Sequence, residues 1–201
     1  MDQEDCPITN SFIEAMEFAF VLHQNQLRKG SSVPYFAHLL SVAALVMENE
    51  GTEEEAIAAI LHDAAEDQGG VETLDEIRKR FGSGVASIVH GCSDTFEYPK
   101  PPWRERKIAY IERMTNAPLS VLKVSMADKV HNLRSLLDDY FNEGESVWER
   151  FNGGKEGTLW YYHQLSVIFI QRSRGTLSLE ILRLLDELEA LMSASEEEVK
   201  E

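Results

Sequence analysis

Between Ala56 and Asp67 the chain reads A-I-A-A-I-L-H-D-A-A-E-D, small and apolar residues with four titratable ones set among them. Successive side chains on a helix stand about 100° apart, and residues four apart share a face. On a helix continuing to Gly69-Gly70, His62 stacks under Glu66 and Asp63 under Asp67. Charges inside an apolar helix are costly unless paired or bound to a metal. A metal site is therefore the better reading than a solvated acidic face.

The rest of the chain is helical to either side of this run. A first helix is predicted over 11–28, with Phe12, Met16, Ala19, Phe20 and Leu27 inward and Thr9-Asn10-Ser11 as cap candidates. A second runs from Tyr35 to Asn49 and is closed by Gly51. Thr52 with Glu55 makes a capping box for the H-D helix. Short helices follow over Glu72–Phe81 and Ser83–Cys92, separated at Gly82, and the prolines of 94–103 mark a loop. Further helices are predicted over 103–115, 119–141 (opened by Pro118), 158–172 and 177–193. Segment 142–157 reads as a mobile loop around a short helix at Val147–Phe151, and 194–201 as a frayed acidic end. No strand pattern or interdomain linker stands out. The expectation is an all-α protein of eight or more helices, with residues 1–201 forming a single domain.

Composition narrows the function. The formal net charge is −16, from 35 acidic and 19 basic residues, which argues against nucleic acid as a partner. A small anionic substrate remains compatible if local cations hold it. Cys6 and Cys92 show neither metal spacing nor a disulfide framework. The opening M-D-Q-E-D lacks a signal-peptide layout, and no apolar stretch approaches the roughly 20 residues a membrane span needs. The expected address is the cytoplasm; the oligomeric state is not encoded in any recognisable pattern.

Two more candidates extend the H-D pair. His38 sits in a helix otherwise devoted to packing, and Asp128 lies at the border of the stripe Leu122, Met126, Val130, Leu133 and Leu137, beside Ser125 and Asn132. His38, His62, Asp63 and Asp128 form a set of two nitrogens and two oxygens. Such a set favours Mn²⁺, Fe²⁺, Co²⁺ or Zn²⁺ over Mg²⁺ or Ca²⁺, and leaves positions for water and a substrate oxygen. An ion of this kind activates water and polarises a phosphoryl group.

The order H…HD…D resembles the HD-domain phosphohydrolases. R-K-G-x-x-x-P-Y-x-x-H (Arg28–His38), A-A-I-L-H-D-A-A-E-D (Ala58–Asp67), F-G-x-x-V-A-x-I-V-x-G-C-S-D (Phe81–Asp94), K-V-S-M-A-D-K-V-H-N-L-R (Lys123–Arg134) and L-W-Y-Y (Leu159–Tyr162) narrow the likeness. Together they resemble the hydrolase domain of the RelA/SpoT alarmone enzymes, especially its stand-alone small alarmone hydrolase form, which includes the Mesh1-type proteins of animals. The resemblance covers about residues 10–172. It implies one Mn²⁺ on His38, His62, Asp63 and Asp128, with Glu66 and Asp67 positioning and deprotonating the attacking water. It further implies Arg28 packed on the nucleobase, Lys29 near base and sugar, Asn132 on ribose and phosphate, and Tyr161 or Tyr162 lining the nucleotide side. Lys100, Arg104, Arg106 and Lys107 fall where relatives grip the distal phosphate; Arg106 and Lys107 are carried as candidates. The implied reaction is removal of the 3′-pyrophosphate from (p)ppGpp. This chain departs from the family in His38-Leu39, where a proline usually follows the histidine, in Cys92-Ser93-Asp94 for V-T-D, and in Met126 for leucine. None of these changes removes a ligand. Two other readings are another HD nucleotide phosphohydrolase (an NADPH phosphatase, nucleotidase or phosphodiesterase) and a catalytically idle binding protein.

Overall fold

The computed structural model describes residues 8–198. Among the described residues the fold is all-α: α1 (Asn10–His23), α2 (Tyr35–Glu48), α3 (Glu53–Leu61), α4 (Ala64–Asp67), α5 (Gly70–Cys92), α6 (Trp103–Met114), α7 (Leu119–Glu143), a 3-10 segment (Gly144–Arg150), α8 (Gly154–Arg172) and α9 (Thr176–Glu198). One compact unit takes the chain up to Lys100 together with Lys123–Ser125; the other takes Pro101–Leu122 and Met126 onward. Cys92 is a free thiol, and Cys6 lies outside the described residues.

In the first unit α3 is the hub, because Glu55 through Leu61 are all buried and α1, α2 and α5 pack around it. A helix with no polar face belongs in the interior. Its start is the expected capping box: the Glu55 amide donates to Thr52 Oγ1 (3.3 Å) and the Thr52 amide to Glu55 Oε2 (2.9 Å). The expected continuous H-D helix, however, breaks at His62-Asp63. The His62 ring bonds the Ala59 carbonyl at 2.8 Å, the acceptor that the Asp63 amide would use in an unbroken helix. Asp63 relaxes to φ −97° and ψ −5°, and α4 resumes as a single turn closed by the Asp67 amide on Asp63 O (2.9 Å).

Other boundaries shift for local reasons. α1 stops at His23, and Phe12, Ala15, Ala19 and His23 form its buried face. Phe20 and Leu27, expected inside, are exposed, and Met16 is half-buried. Leu27 instead pairs with Pro34 across a turn in which the Arg28 amide donates to Val33 O (2.8 Å) and the Tyr35 amide to Gln26 O (2.8 Å). After α2 the left-handed residue is Glu50 (φ 56°), not Gly51. Gly51 answers a lack of space, since a Cβ there would stand 2.4 Å from Val46 Cγ1. Gly82 does divide α5, with φ 92° and ψ 169° that only glycine adopts readily.

In the second unit α8 contacts α6, α9 and the 3-10 segment. Gly153 admits the Trp103 ring, which a Cβ would meet at 2.6 Å. The expected mobile loop of 142–157 is instead the 3-10 segment and the first turn of α8. Trp148 is buried against the rings of Tyr140 and Phe151, and Arg150 pairs with Asp139 (3.0 Å) and with Glu143. On α7 the stripe is buried at Leu122, Met126, Val130 and Leu133, while Leu137 is half-buried. α9 passes the expected stop at 193 and reaches Glu198. Ser193 and Ser195 turn their hydroxyls back onto Glu189 O (2.9 Å) and Leu191 O (3.0 Å), so neither ends the helix. Residues 199–201 of the acidic end lie outside the described residues.

Glu180 ties α9 to α7, accepting from Arg134 (3.1 Å) and from Arg183 Nε (2.8 Å). The Arg183 guanidinium, and then Arg134, hold its carboxyl down at about 2 against some burial. A carboxyl lowered in the folded state stabilises above its unfolded pKa, and that contribution is lost as pH falls through the folded value. Both arginines are about half exposed, so the contribution is about 1 kcal/mol at most. Glu180→Gln is therefore expected to lower Tm at pH 7, with the gap from wild type closing as pH drops from about 4.5 towards 2. A pH-independent gap in paired melts would trace the loss to packing instead.

Candidate metal and catalytic site

α2 and the end of α3 bring two imidazoles together. His38 and His62 are 1% and 2% exposed, and their rings meet edge to face at 5.3 Å between centroids. With the Ala59 carbonyl accepting from His62 Nδ1–H, the lone pair of His62 lies on Nε2. That nitrogen stands 2.8 Å from Asp63 Oδ2, and His38 Nε2 stands 3.7 Å from the same oxygen. Donors bound side by side to one transition ion, with bonds of about 2.0–2.2 Å, lie about 3–3.5 Å apart. The observed 2.8 and 3.7 Å bracket that range, so the two imidazole nitrogens stand close enough to the carboxylate oxygen to share a divalent ion with it.

A residue without an expected role orients this group. The Tyr35 hydroxyl donates to Asp63 Oδ2 at 2.6 Å, while its ring stacks on His23 (5.4 Å) and leans on His38 (5.3 Å). Tyr35 was visible in the P-Y-x-x-H pattern, three residues before His38, but nothing local indicates that it reaches Asp63. Arg28 lies beside the same ring, its Cζ 5.9 Å from the centroid, and Lys29 is exposed at the turn.

The E-D pair diverges in environment. Glu66 accepts from Lys100 Nζ (2.9 Å) and from the Asp94 amide (2.7 Å), so a cation and a backbone N–H support its charge. Asp67 opens to solvent and accepts from Gln26 Nε2 at 2.8 Å. Desolvation and then the Asp63 charge raise its carboxyl above the ordinary range, against the Gln26 bond. His23, to which no sequence motif gives a role, is buried, and burial lowers its ring below the usual imidazole value.

The second unit carries the other candidates. Asp128 is 8% exposed; Lys129 and the Asn132 amide both donate to its carboxylate. Burial opposes the Lys129 charge, but Asp128 and the hydroxyls of Tyr110, Tyr161 and Tyr162 hold its ammonium well above the ordinary lysine range. Tyr161 and Tyr162 are buried, and Lys107 Nζ lies over the Tyr161 ring at 4.8 Å. Arg106 donates from Nε to Pro101 O at 3.0 Å. Arg104 stacks on Trp160 at 3.2 Å in a cleft shared with Trp103, Asn152 and Glu156.

Comparison with known proteins places these features. The HD domain family matches residues 15–159. A guanosine-3′,5′-bis(diphosphate) 3′-pyrophosphohydrolase MESH1 of Danio rerio is 36% identical over 135 residues, 66% of this chain and 72% of that protein. The Homo sapiens protein of the same name is 35% identical over 127 residues, 62% of this chain and 68% of that one. Among solved structures, a metazoan ortholog of SpoT described as hydrolysing ppGpp superposes with a TM-score of 0.59 at 26% identity, covering 83% of this chain and 98% of that one.

The Tyr35–Asp63 bond has a measurable consequence. Groups that orient a metal ligand typically change metal affinity 10–100-fold when removed. Tyr35→Phe is expected to leave the fold intact and to weaken divalent transition-metal binding by about 10-fold or more, measured by competition with a chromogenic chelator. Unchanged affinity would mean that Asp63 is oriented without the phenol.

Proposed function

The chain belongs to the HD domain family, and from that premise we propose that it removes the 3′-pyrophosphate of (p)ppGpp, releasing pyrophosphate and GDP or GTP. The observation that carries this reading is the pair of buried imidazoles facing Asp63, one helical turn before a carboxylate pair of unequal environment. We assign one Mn²⁺ to His38, His62, Asp63 and Asp128, with both units serving one hydrolase domain. When bound, such an ion supplies Lewis acidity to a phosphoryl oxygen and to water.

The chain's own groups divide the remaining work. Asp67, with a carboxyl raised above the usual range, takes the proton of the attacking water. Glu66, fixed by its bonds from Lys100 and the Asp94 amide, orients that water. The water oxygen bonds to phosphorus and the bond to the 3′-oxygen breaks; that oxygen takes a proton from solvent to become the 3′-hydroxyl, and Asp67 returns its proton to solvent. Arg28 presents a planar guanidinium able to stack on a base, with Lys29 adding charge. Asn132 and Tyr161 are assigned to the nucleotide, and Arg106 and Lys107 to the distal phosphate. An acidic protein holds a polyanion through such local cations. The scarcity of cysteine supports a cytoplasmic address; among the described residues no helix is long and apolar enough to cross a membrane.

The test is turnover by purified, Mn²⁺-loaded protein on ppGpp, pppGpp, ppApp, NADPH and deoxynucleoside monophosphates. Preference for the 3′-pyrophosphorylated nucleotides supports the reading; cleavage of NADPH or deoxynucleotides with none of ppGpp overturns it. Asp67→Asn is expected to keep the metal and lower kcat by roughly 100-fold. Because the base acts deprotonated, kcat/KM of the wild type should fall as pH drops through a value above the ordinary carboxylate range. An Asp67→Asn enzyme as fast as wild type would move the base elsewhere.

A further inference from the structure

Gln26 is 41 residues from Asp67 in sequence, yet its amide nitrogen is the donor on Asp67 Oδ2 at 2.8 Å. An amide has one accepting and one donating end, so its orientation decides whether it supports or repels a carboxylate. In this protein the carboxylate, which can only accept, turns the amide N–H towards itself, and the other end is held as well. Gln26 Oε1 lies 2.7 Å from Gln68 Nε2 and 2.7 Å from His23 Nδ1. A flipped amide would set its oxygen against the carboxylate and would keep its other two bonds only if the imidazole changed tautomer and the Gln68 amide turned over with it. The backbone is pinned as well: the Gln26 amide donates to His23 O (2.9 Å), and its carbonyl accepts from the Tyr35 amide (2.8 Å). His23 is 1% exposed, burial lowers its ring below the usual imidazole value, and the Gln26 oxygen at 2.7 Å favours a proton on Nδ1.

We propose that Gln26 is a positioning residue for the water-activating carboxylate, and that His23 and Gln68 act through it by fixing which end of its amide meets Asp67. With Oδ2 held, Asp67 keeps its other oxygen on the solvent side for the attacking water. The inference rests on the role assigned to Asp67 above. None of the three residues bonds the proposed metal ligands in this arrangement, so their loss acts on the chemical step and not on metal uptake.

The test compares Gln26→Met, His23→Leu and His23→Asn with wild type in steady-state kinetics, metal content and thermal melts. Gln26→Met matches the length of glutamine without its hydrogen bonds. It is expected to lower kcat by roughly 10–100-fold, the scale of a misplaced catalytic group, with KM within about twofold and one metal retained. His23→Leu should lower kcat as well. His23→Asn, whose side-chain N–H reaches the place of Nδ1–H, should recover most of that loss. Unchanged kcat in Gln26→Met, a loss confined to KM, or loss of metal would overturn the proposal; so would His23→Asn performing no better than His23→Leu. The kinetics use whichever nucleotide of the panel the wild type hydrolyses. A wild type inactive on ppGpp but active on another nucleotide therefore overturns the substrate assignment alone, whereas wild-type rates in Gln26→Met overturn only the positioning role. A wild type inactive on every nucleotide overturns both.

Discussion

Two imidazoles buried at the mouth of an apolar helix set the conditions that the rest of the first unit must meet. α3 has no polar face from Ala56 to Leu61, so it goes to the centre and draws α1, α2 and α5 around it. His62 follows directly and is buried with it. The ring donates from Nδ1 to the Ala59 carbonyl and turns Nε2, with its lone pair, towards Asp63 Oδ2. The bond to Ala59 interrupts the helix, and the same Asp63 oxygen stands 3.7 Å from His38 Nε2. From that break onward α4 is one short turn, whose Glu66 and Asp67 emerge towards solvent. The same local event thus ends the core helix and creates the polar rim on which chemistry is proposed.

Charge follows a second logic. The protein carries a net charge of −16, and several of its cations are held against carboxylates or aromatic rings. Lys100 meets Glu66, while Arg104 and Lys107 lie over the rings of Trp160 and Tyr161. Stacking on an aromatic face orients a cation without supplying a counter-charge. Lys129 combines the two arrangements, pressed against Asp128 inside a ring of tyrosines, where it compensates a buried carboxylate. Within the E-D pair the same logic separates two adjacent carboxylates. Glu66 has a cation and a backbone amide as donors, whereas Asp67 has the Gln26 amide. Desolvation and the Asp63 charge raise the Asp67 carboxyl, with the Gln26 bond and Lys100 opposing, so two adjacent carboxylates on one turn of helix sit in different environments.

Much of this was legible in the chain because it is local. Helical periodicity, the Thr52–Glu55 capping box, the Gly82 break and the proline loop after Asp94 depend on residues within a few positions of one another. The adjacency of His62 to Asp63 and of Glu66 to Asp67 is local too, but the unbroken helix predicted to stack the two pairs is interrupted by a side-chain bond to Ala59. The inward residues of α1 were misassigned for a related reason. Periodicity gives a face but not its absolute rotation, and the buried face includes His23 in place of Phe20. The segment after α7 looked mobile because it is polar and glycine-rich. Its order comes from Trp148 packing on Tyr140, a contact that composition does not register.

By itself, then, the sequence determined the fold class, the positions of most helices and the residues from which a metal site and a base are proposed. Each of these is written in spacings of three, four or fewer than a dozen residues. Only the tertiary structure decided how those groups are oriented: Tyr35 on Asp63 across 28 residues, Lys100 on Glu66 across 34, Gln26 on Asp67 across 41. Hydrogen bonds are directional and extend only about 3 Å. Which donors arrive within that distance depends on how helices pack and where loops turn, and no pattern along the chain specifies it.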